Sequence, residues 1–310
     1  MKKTILATML TSLFAVSAHS ATVYDADGMT LDVYGDVEVQ AGKGTADGSA
    51  KMIKLDDADF GLQVGYKVGE DLTAIGVVSI TGEDEDDGVA QVNLDDAYVG
   101  LSSAQWGTLT MGKQVTISDD IGIGNDFELG IESGYGTADD DYYGGRQVVK
   151  YTVDKGNYYG GISYLLNTGE LSDNVESIDA KLGVRLDALD LTAYLGKTTV
   201  GSEDSTSVIL EARYAIDALS LEATAGTTNG LTDADDLTNF GLAAVYSMDK
   251  AFVSGGWSIT DTDGPDDQFN TYFANVGYAF NSNVTTYVEV GSNDKDDSEV
   301  GYYAGMAVSF

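Results

Sequence analysis

Val300-Gly-Tyr-Tyr-Ala-Gly-Met-Ala-Val-Ser-Phe310 alternates without a break. Val300, Tyr302, Ala304, Met306, Val308 and Phe310 are apolar or aromatic; Gly301, Tyr303, Gly305, Ala307 and Ser309 between them are small or polar. Successive side chains of a strand point to opposite faces, so this stretch is a strand with one apolar face. Its length, about 10 residues with aromatics near both ends, is that of a strand tilted across a bilayer with an aromatic girdle at each interface.

The other end of the chain supplies the route to a membrane. Met1-Lys-Lys-Thr4 is a positive start, Ile5 to Val16 an apolar core, and Ala18-His-Ser20 a small-x-small site before Ala21. Residues 1–20 therefore read as a removable secretory signal, too short and wrongly flanked for a membrane span. Lys2 and Lys3 are its only charges, so its removal takes the net charge from −35 to −37, and the single histidine, His19, leaves with it. Beyond it no uninterrupted apolar run is long enough for a membrane helix. Residues 21–310 can then cross a membrane only as a closed barrel, the other structure that satisfies every backbone amide in lipid.

Composition agrees with a large sheet. The absence of cysteine excludes a disulfide scaffold and any cysteine-based metal or redox site. Many Gly (38) and Tyr (19) with a single Pro suit strands that must all donate to their neighbours.

The period-2 pattern recurs along the chain. Met29, Leu31, Val33, Val37 and Val39 face out against Thr30, Asp32, Tyr34, Asp36 and Glu38. Ala58, Phe60, Leu62, Val64 and Tyr66 alternate with Asp57, Asp59, Gly61, Gln63 and Gly65, and the same pattern holds from Ile178 to Leu186, Val208 to Ile216 and Tyr272 to Phe280. With weaker stretches included the count reaches about 16 strands, a barrel wide enough for an aqueous channel. Short connections such as Asp187-Ala-Leu-Asp190 and Asp217-Ala-Leu-Ser220 alternate with longer acidic ones such as Asp261-Thr-Asp-Gly-Pro-Asp-Asp267. Alternating loop lengths are the mark of a barrel with one periplasmic and one external end.

One connection, about residues 116–145, carries no convincing strand over roughly 30 residues, a length that is usually functional. It interleaves Ile121, Ile123, Phe127, Leu129 and Ile131 with carboxylates, so it has apolar anchors with which to pack; the natural place is the barrel interior, where it would narrow the pore, and the alternative is a folded extracellular flap.

Ala21-Thr-Val-Tyr-Asp-Ala-Asp-Gly-Met-Thr-Leu-Asp-Val-Tyr-Gly35 resembles the start of the trimeric general diffusion porins of Gram-negative outer membranes. Asp71-Leu-Thr73, Ala97-Tyr-Val-Gly-Leu101, Gly107-Thr-Leu-Thr-Met-Gly-Lys113, Asp141-Tyr-Tyr-Gly-Gly-Arg146, Val284-Thr-Thr-Tyr-Val288 and Phe310 resemble the same family in the same order. The resemblance implies an all-β transmembrane antiparallel barrel of about 16 strands, a homotrimer, and a long third loop folded into the lumen as a constriction. It also implies that Phe310 is part of an assembly signal.

Family constrictions set loop carboxylates against a basic ladder on the facing wall. Carried over by position, the ladder here falls on Asp36, Asp59 and Asp95, and only Arg146 keeps its charge. Placing Asp95 on the polar face leaves Asp96 facing outward by simple alternation. The family's Pro-Glu-Phe-Gly-Gly loop motif is absent; Asp126-Phe-Glu128 is nearest to it, with Glu132 following. The other inward cations are Lys150, Lys181, Arg185 and Arg213. Acidic rings in a narrow pore favour cations, and low-dielectric walls focus the field.

The expectation is an outer-membrane channel for passive diffusion of ions and small hydrophilic solutes, preferring cations. Lipopolysaccharide, bridged by divalent cations to the acidic loops, is an expected neighbour. No cofactor is expected, and no catalytic machinery: the mature chain has no His or Cys, and neither a Gly-x-Ser-x-Gly elbow nor a phosphate loop appears in it. Asp25-Ala-Asp-Gly28 and Asp261-Thr-Asp-Gly264 lack the closing Glu of a calcium loop, so no specific metal site is expected. The net charge opposes nucleic-acid binding. Two alternatives remain: a substrate-specific channel on the same barrel, for example for an oligosaccharide, and a soluble acidic secreted β-protein. The aromatic slide that the first would need is not legible in Tyr34, Tyr135, Tyr159 and Tyr303, which are scattered.

Overall fold

The computed structural model describes residues 20–84, 90–131, 144–166, 175–231, 236–262 and 268–310. The expected leader before Ser20, Glu132 and Tyr135 lie outside the described residues, and Arg146 is described only in its backbone.

The strands are β1 (Ala21–Ala26), β2 (Met29–Lys43), β3 (Met52–Lys67), β4 (Thr73–Asp84), β5 (Ala90–Ser103), β6 (Gly107–Val115), β7 (Gly144–Asp154), β8 (Tyr158–Leu165) and β9 (Val175–Leu186). They continue with β10 (Leu189–Val200), β11 (Glu203–Ile216), β12 (Leu219–Asn229), β13 (Leu237–Met248), β14 (Ala251–Thr262), β15 (Gln268–Asn281), β16 (Val284–Asn293) and β17 (Gly301–Ser309). Each pairs antiparallel with the next, and β17 returns to pair with β2 through Tyr302↔Lys43 to Ser309↔Asp36. Strands β2 to β17 thus close a 16-stranded antiparallel barrel. The short β1 takes the edge of β2 that β17 leaves, from Met29 to Val33. At the junction Phe310 and Gly35 exchange two backbone hydrogen bonds of 3.0 and 2.8 Å. Closure leaves no strand edge to satisfy, which is the condition for crossing lipid with strands.

The alternation sorts the two faces as the sequence predicts. Val37, Val39, Phe60, Ile178, Leu182, Val208, Leu210, Val276 and Met306 are exposed on one face. Gln40, Ser79, Asp179, Glu211, Thr224, Asn239, Ser258 and Glu289 are buried on the other. An apolar face open to solvent on this scale is a membrane surface rather than a core. Tyr66, Tyr214, Tyr246 and Tyr278 are exposed on the apolar face beside the short turns. Tyr164, Phe240, Tyr272 and Tyr302 sit toward the opposite ends of their strands. Two such rows are interfacial girdles. The short turns after β9, β11 and β13 begin on Asp187, Asp217 and Asp249 at φ 53°, 52° and 47°. Aspartate tolerates that left-handed geometry better than most side chains.

The expectation that Asp96 faces outward is corrected by a β-bulge. The β4–β5 register passes from Val78↔Ala97 to Ile80↔Leu94, leaving Asp95 and Asp96 opposite the single residue Ser79. Ser79 Oγ donates to Asp95 Oδ2 at 3.0 Å and accepts the Asp96 N–H at 2.9 Å. The bulge resets the alternation, so Leu94 and Val99 are both exposed on the apolar face although they are five positions apart, a spacing that strict alternation would put on opposite faces. Both aspartates therefore share the polar face. The same device recurs on β3, where the register steps from Glu38↔Asp57 to Val39↔Leu55 and inserts Asp56. Each bulge adds a carboxylate to the polar wall that strict alternation would not place there.

Candidate functional site

The connection after β6 opens with a single 3-10 turn, Ile117–Asp120, and then runs without regular structure to Ile131. Backbone amides without a helix or sheet partner need acceptors elsewhere, and here the polar face of the barrel supplies them. Ser163 Oγ on β8 accepts the Ile117 N–H at 2.9 Å. Lys181 on β9 pairs with Asp120, and Tyr194 on β10 donates its hydroxyl to the Asp120 carbonyl at 2.8 Å. Glu211 on β11 accepts the Gly122 N–H at 2.7 Å, while Arg213 bonds the Gly122 carbonyl. Glu222 on β12 accepts the Gly124 N–H at 2.8 Å. Asn275 on β15 donates to the Asn125 carbonyl at 2.6 Å. On β16, Glu289 accepts the N–H groups of Phe127, Glu128 and Leu129 at 3.0, 2.7 and 2.7 Å.

Three buried wall glutamates, Glu211, Glu222 and Glu289, thus hold successive amides of the segment. Hydrogen bonds to an ionised acceptor contribute about 1.5–3 kcal/mol each, against about half that for neutral pairs. Apolar contacts reinforce the hold. Ile117 packs with Tyr194 and Ile209, with Ile121 against them. Phe127 stacks on Tyr287 with ring centroids 3.5 Å apart and planes 4° from parallel. Tyr287 lies flat because Gly305 behind it has no side chain; a Cβ there would come within 2.4 Å of the ring. Gly124, at φ +92°, makes the bend that brings its own N–H to Glu222.

The acidic tip of the segment meets a cation. Glu128 accepts Gln40 Nε2 at 2.6 Å and pairs with Lys54 Nζ at 3.3 Å, and Lys54 also pairs with Asp56 at 2.9 Å. Asp126 faces water, yet the protein shell around it and the charge of Glu289 push its carboxyl up to about 6. Burial and Asp56 likewise raise Glu128, opposed by Gln40 and Lys54.

The sequence-predicted residues divide into three groups. Asp36 and Asp59 lie directly opposite each other on β2 and β3, and Asp95 is half-buried on β5, where its carbonyl accepts Lys113 Nζ at 2.5 Å. Asp126 and Glu128 lie at the other end of the segment, beside β16, β2 and β3. The four expected cations are engaged. Lys181 and Arg213 hold the segment, and Lys150 donates to the Val115 carbonyl at 2.8 Å. Arg185 lies apart at a short turn, paired with Asp154 at 3.0 Å and Asp190 at 3.3 Å, its guanidinium 4.1 Å from the Tyr159 ring centre.

Sequence reasoning missed Lys54, Asp56 and the three anchoring glutamates, and it put Glu38 and Asp57 on the polar face without assigning them to the site. A signal for the anchors exists. Tyr194, Ile209, Ala243, Val245, Phe252, Phe273 and Tyr287 are buried apolar or aromatic residues on a face that is otherwise polar, and several touch the segment.

Comparison with known proteins agrees with this architecture. The family model described as Gram-negative porin matches residues 6–298. "Porin-like protein H" of Photobacterium profundum is 31% identical over the whole of both chains. Among solved structures, a loop L8 deletion mutant of OmpT, an outer membrane protein of Vibrio cholerae, superposes with TM-score 0.78 at 21% identity, covering 92% of this chain and 100% of that one. In-vitro folded OmpT in its trimer form gives TM-score 0.72 at 19% identity over 92% of this chain and 99% of that one. With its closed barrel, its exposed apolar face and this match over nearly its whole length, the chain belongs to the Gram-negative porin family of the outer membrane.

Proposed function

We propose that this porin is a passive channel for ions and small hydrophilic solutes that prefers cations, and that the segment from residue 116 to about 145 is its constriction. The observation that carries the reading is the attachment of this segment to side chains on the polar face of ten strands, from Ser163 on β8 to Glu289 on β16 and on to Gln40 and Lys54 on β2 and β3. A segment so attached occupies the barrel interior and leaves its opening along the wall of β2 to β6. That wall carries Asp36, Glu38, Asp57, Asp59, Asp95 and Asp96, and the segment contributes Asp126 and Glu128. Carboxylates on both sides of a narrow aqueous opening attract cations and repel anions.

The assembly is proposed to be a homotrimer, supported by the trimer form of the related fold. Residues 1–20 are proposed as the export signal and Phe310 as part of the signal for insertion.

Solute uptake by proteoliposomes tests the channel. Swelling rates in neutral sugars of increasing size should fall steeply with size, as steric exclusion at a constriction requires. Swelling indifferent to size, or absent for the smallest sugars, contradicts the reading.

A further inference from the structure

Asp36, Asp57 and Asp59, on the wall that the channel reading uses, form a cluster whose close packing that reading does not explain. One carboxylate oxygen from each lies within 4.8 Å of the other two. Register explains the cluster: Asp36 is directly opposite Asp59, and Asp57 follows two residues away on the same face of β3. Asp36 is only 3% exposed, and its Oδ1 is buried with no hydrogen-bond partner. The Oδ1 of Asp59 is likewise buried and unpartnered. Among the described residues no lysine or arginine forms an ion pair with any of the three, the nearby Lys54 being paired with Asp56 and Glu128. Buried polar atoms are nearly always satisfied, and orphaned ones call for an explanation such as an ion. Three clustered carboxylates with no cation among them are costly unless something positive sits between them.

We infer that Asp36, Asp57 and Asp59 bind a hard divalent cation of the calcium type on the barrel wall. Calcium takes 6–8 oxygen ligands at about 2.3–2.6 Å and tolerates irregular geometry, whereas magnesium demands a near-ideal octahedron. The centre of an equilateral triangle of 4.8 Å sides lies about 2.8 Å from each corner, so a small inward movement of the carboxylates brings them into range of calcium. Three protein oxygens leave the remaining positions for water from the lumen. The inference does not depend on the constriction assigned above, since binding is read directly on the protein.

Equilibrium dialysis of radioactive Ca2+ against the folded oligomer in detergent tests this, in 0.1 M KCl to suppress diffuse association with the acidic loops. The inference expects one saturable Ca2+ per chain with millimolar or tighter affinity, weakened at least tenfold in Asp36→Asn and in Asp57→Asn. Asp71→Asn, an exposed turn carboxylate on the same barrel, should leave binding unchanged. Heat-modifiable migration of each variant shows that it is folded, and the two independent variants keep the test informative if one is not. Absence of saturable binding, meaning that protons rather than metal settle the cluster, would overturn the inference. So would equal binding by wild type and both folded cluster variants.

Discussion

Glu289 accepts the backbone N–H of Glu128 at 2.7 Å while remaining 0% exposed, so an acidic side chain of the barrel wall holds the acidic tip of the long connection through its main chain. The arrangement places negative charge in pairs, and backbone dipoles rather than cations make it tolerable. Asn275 Nδ2 adds a further donor to Glu289 at 2.9 Å.

Replacing Glu289 should therefore free the segment. Glu289→Ala leaves three amides without their acceptor, at a cost of about 1–3 kcal/mol for each one that water cannot reach. The barrel should still fold, because its ladders do not pass through this residue. Single-channel recordings should show noisier current and admit larger sugars. A current trace and size cut-off identical to wild type would show that the other anchors suffice without it.

Acid should reduce cation preference through the segment's own carboxyls. Asp126 is raised by the protein shell around it and by Glu289 to about 6, so it is charged at pH 7.5 and mostly neutral at pH 5. Its folded-state value lies above its unfolded one, so its ionisation disfavours the folded segment. The stability it contributes is fully present below the unfolded value near 4 and is lost as pH rises through about 6. Between pH 7.5 and 5 the reversal potential should move toward zero while the segment becomes more firmly held. Asp126→Asn should flatten part of that titration; an unaltered titration curve in this variant would remove Asp126 from the conduction path.

The apolar face sets a third expectation. Leu210 is 55% exposed in the middle of β11, where lipid would cover it. Leu210→Arg should destabilise the folded barrel by about 2–4 kcal/mol in bilayers, the cost of a cation near the midplane. Guanidinium titration in liposomes measures this. A shift below about 0.5 kcal/mol would mean that Leu210 does not face the hydrocarbon.

The barrel was legible because lipid imposes a strict rule on every second residue. Val300 to Phe310, Val208 to Ile216 and Tyr272 to Phe280 announce their faces without any tertiary information. What alternation conceals is its own interruption. Asp95-Asp96 and Asp56-Asp57 read as ordinary strand residues, and only pairing with Ser79 and Glu38 reveals the bulges that turn both members of each pair to the polar face. The length of the long connection was legible from the want of an alternating stretch in the sequence over about residues 116–145, and its apolar anchors from Ile121, Ile123 and Phe127. Its partners were not, because Glu211, Glu222 and Glu289 lie 89 to 162 residues away from the amides they accept. Cations expected to line the opening, Lys181 and Arg213, are instead committed to holding the segment, since a chain with so few basic residues pairs most of them.

Cation preference set at the constriction is tested most directly by the reversal potential in a potassium chloride gradient across a planar bilayer. Wild type should prefer potassium, less so as salt rises and the Debye length shortens from about 10 Å at 0.1 M to about 3 Å at 1 M. Asp59→Arg with Asp95→Arg should move the potential toward chloride, while Asp296→Arg, on an exposed loop, should move it far less. An anion-selective wild type, or equal shifts from wall and loop variants, would contradict the account.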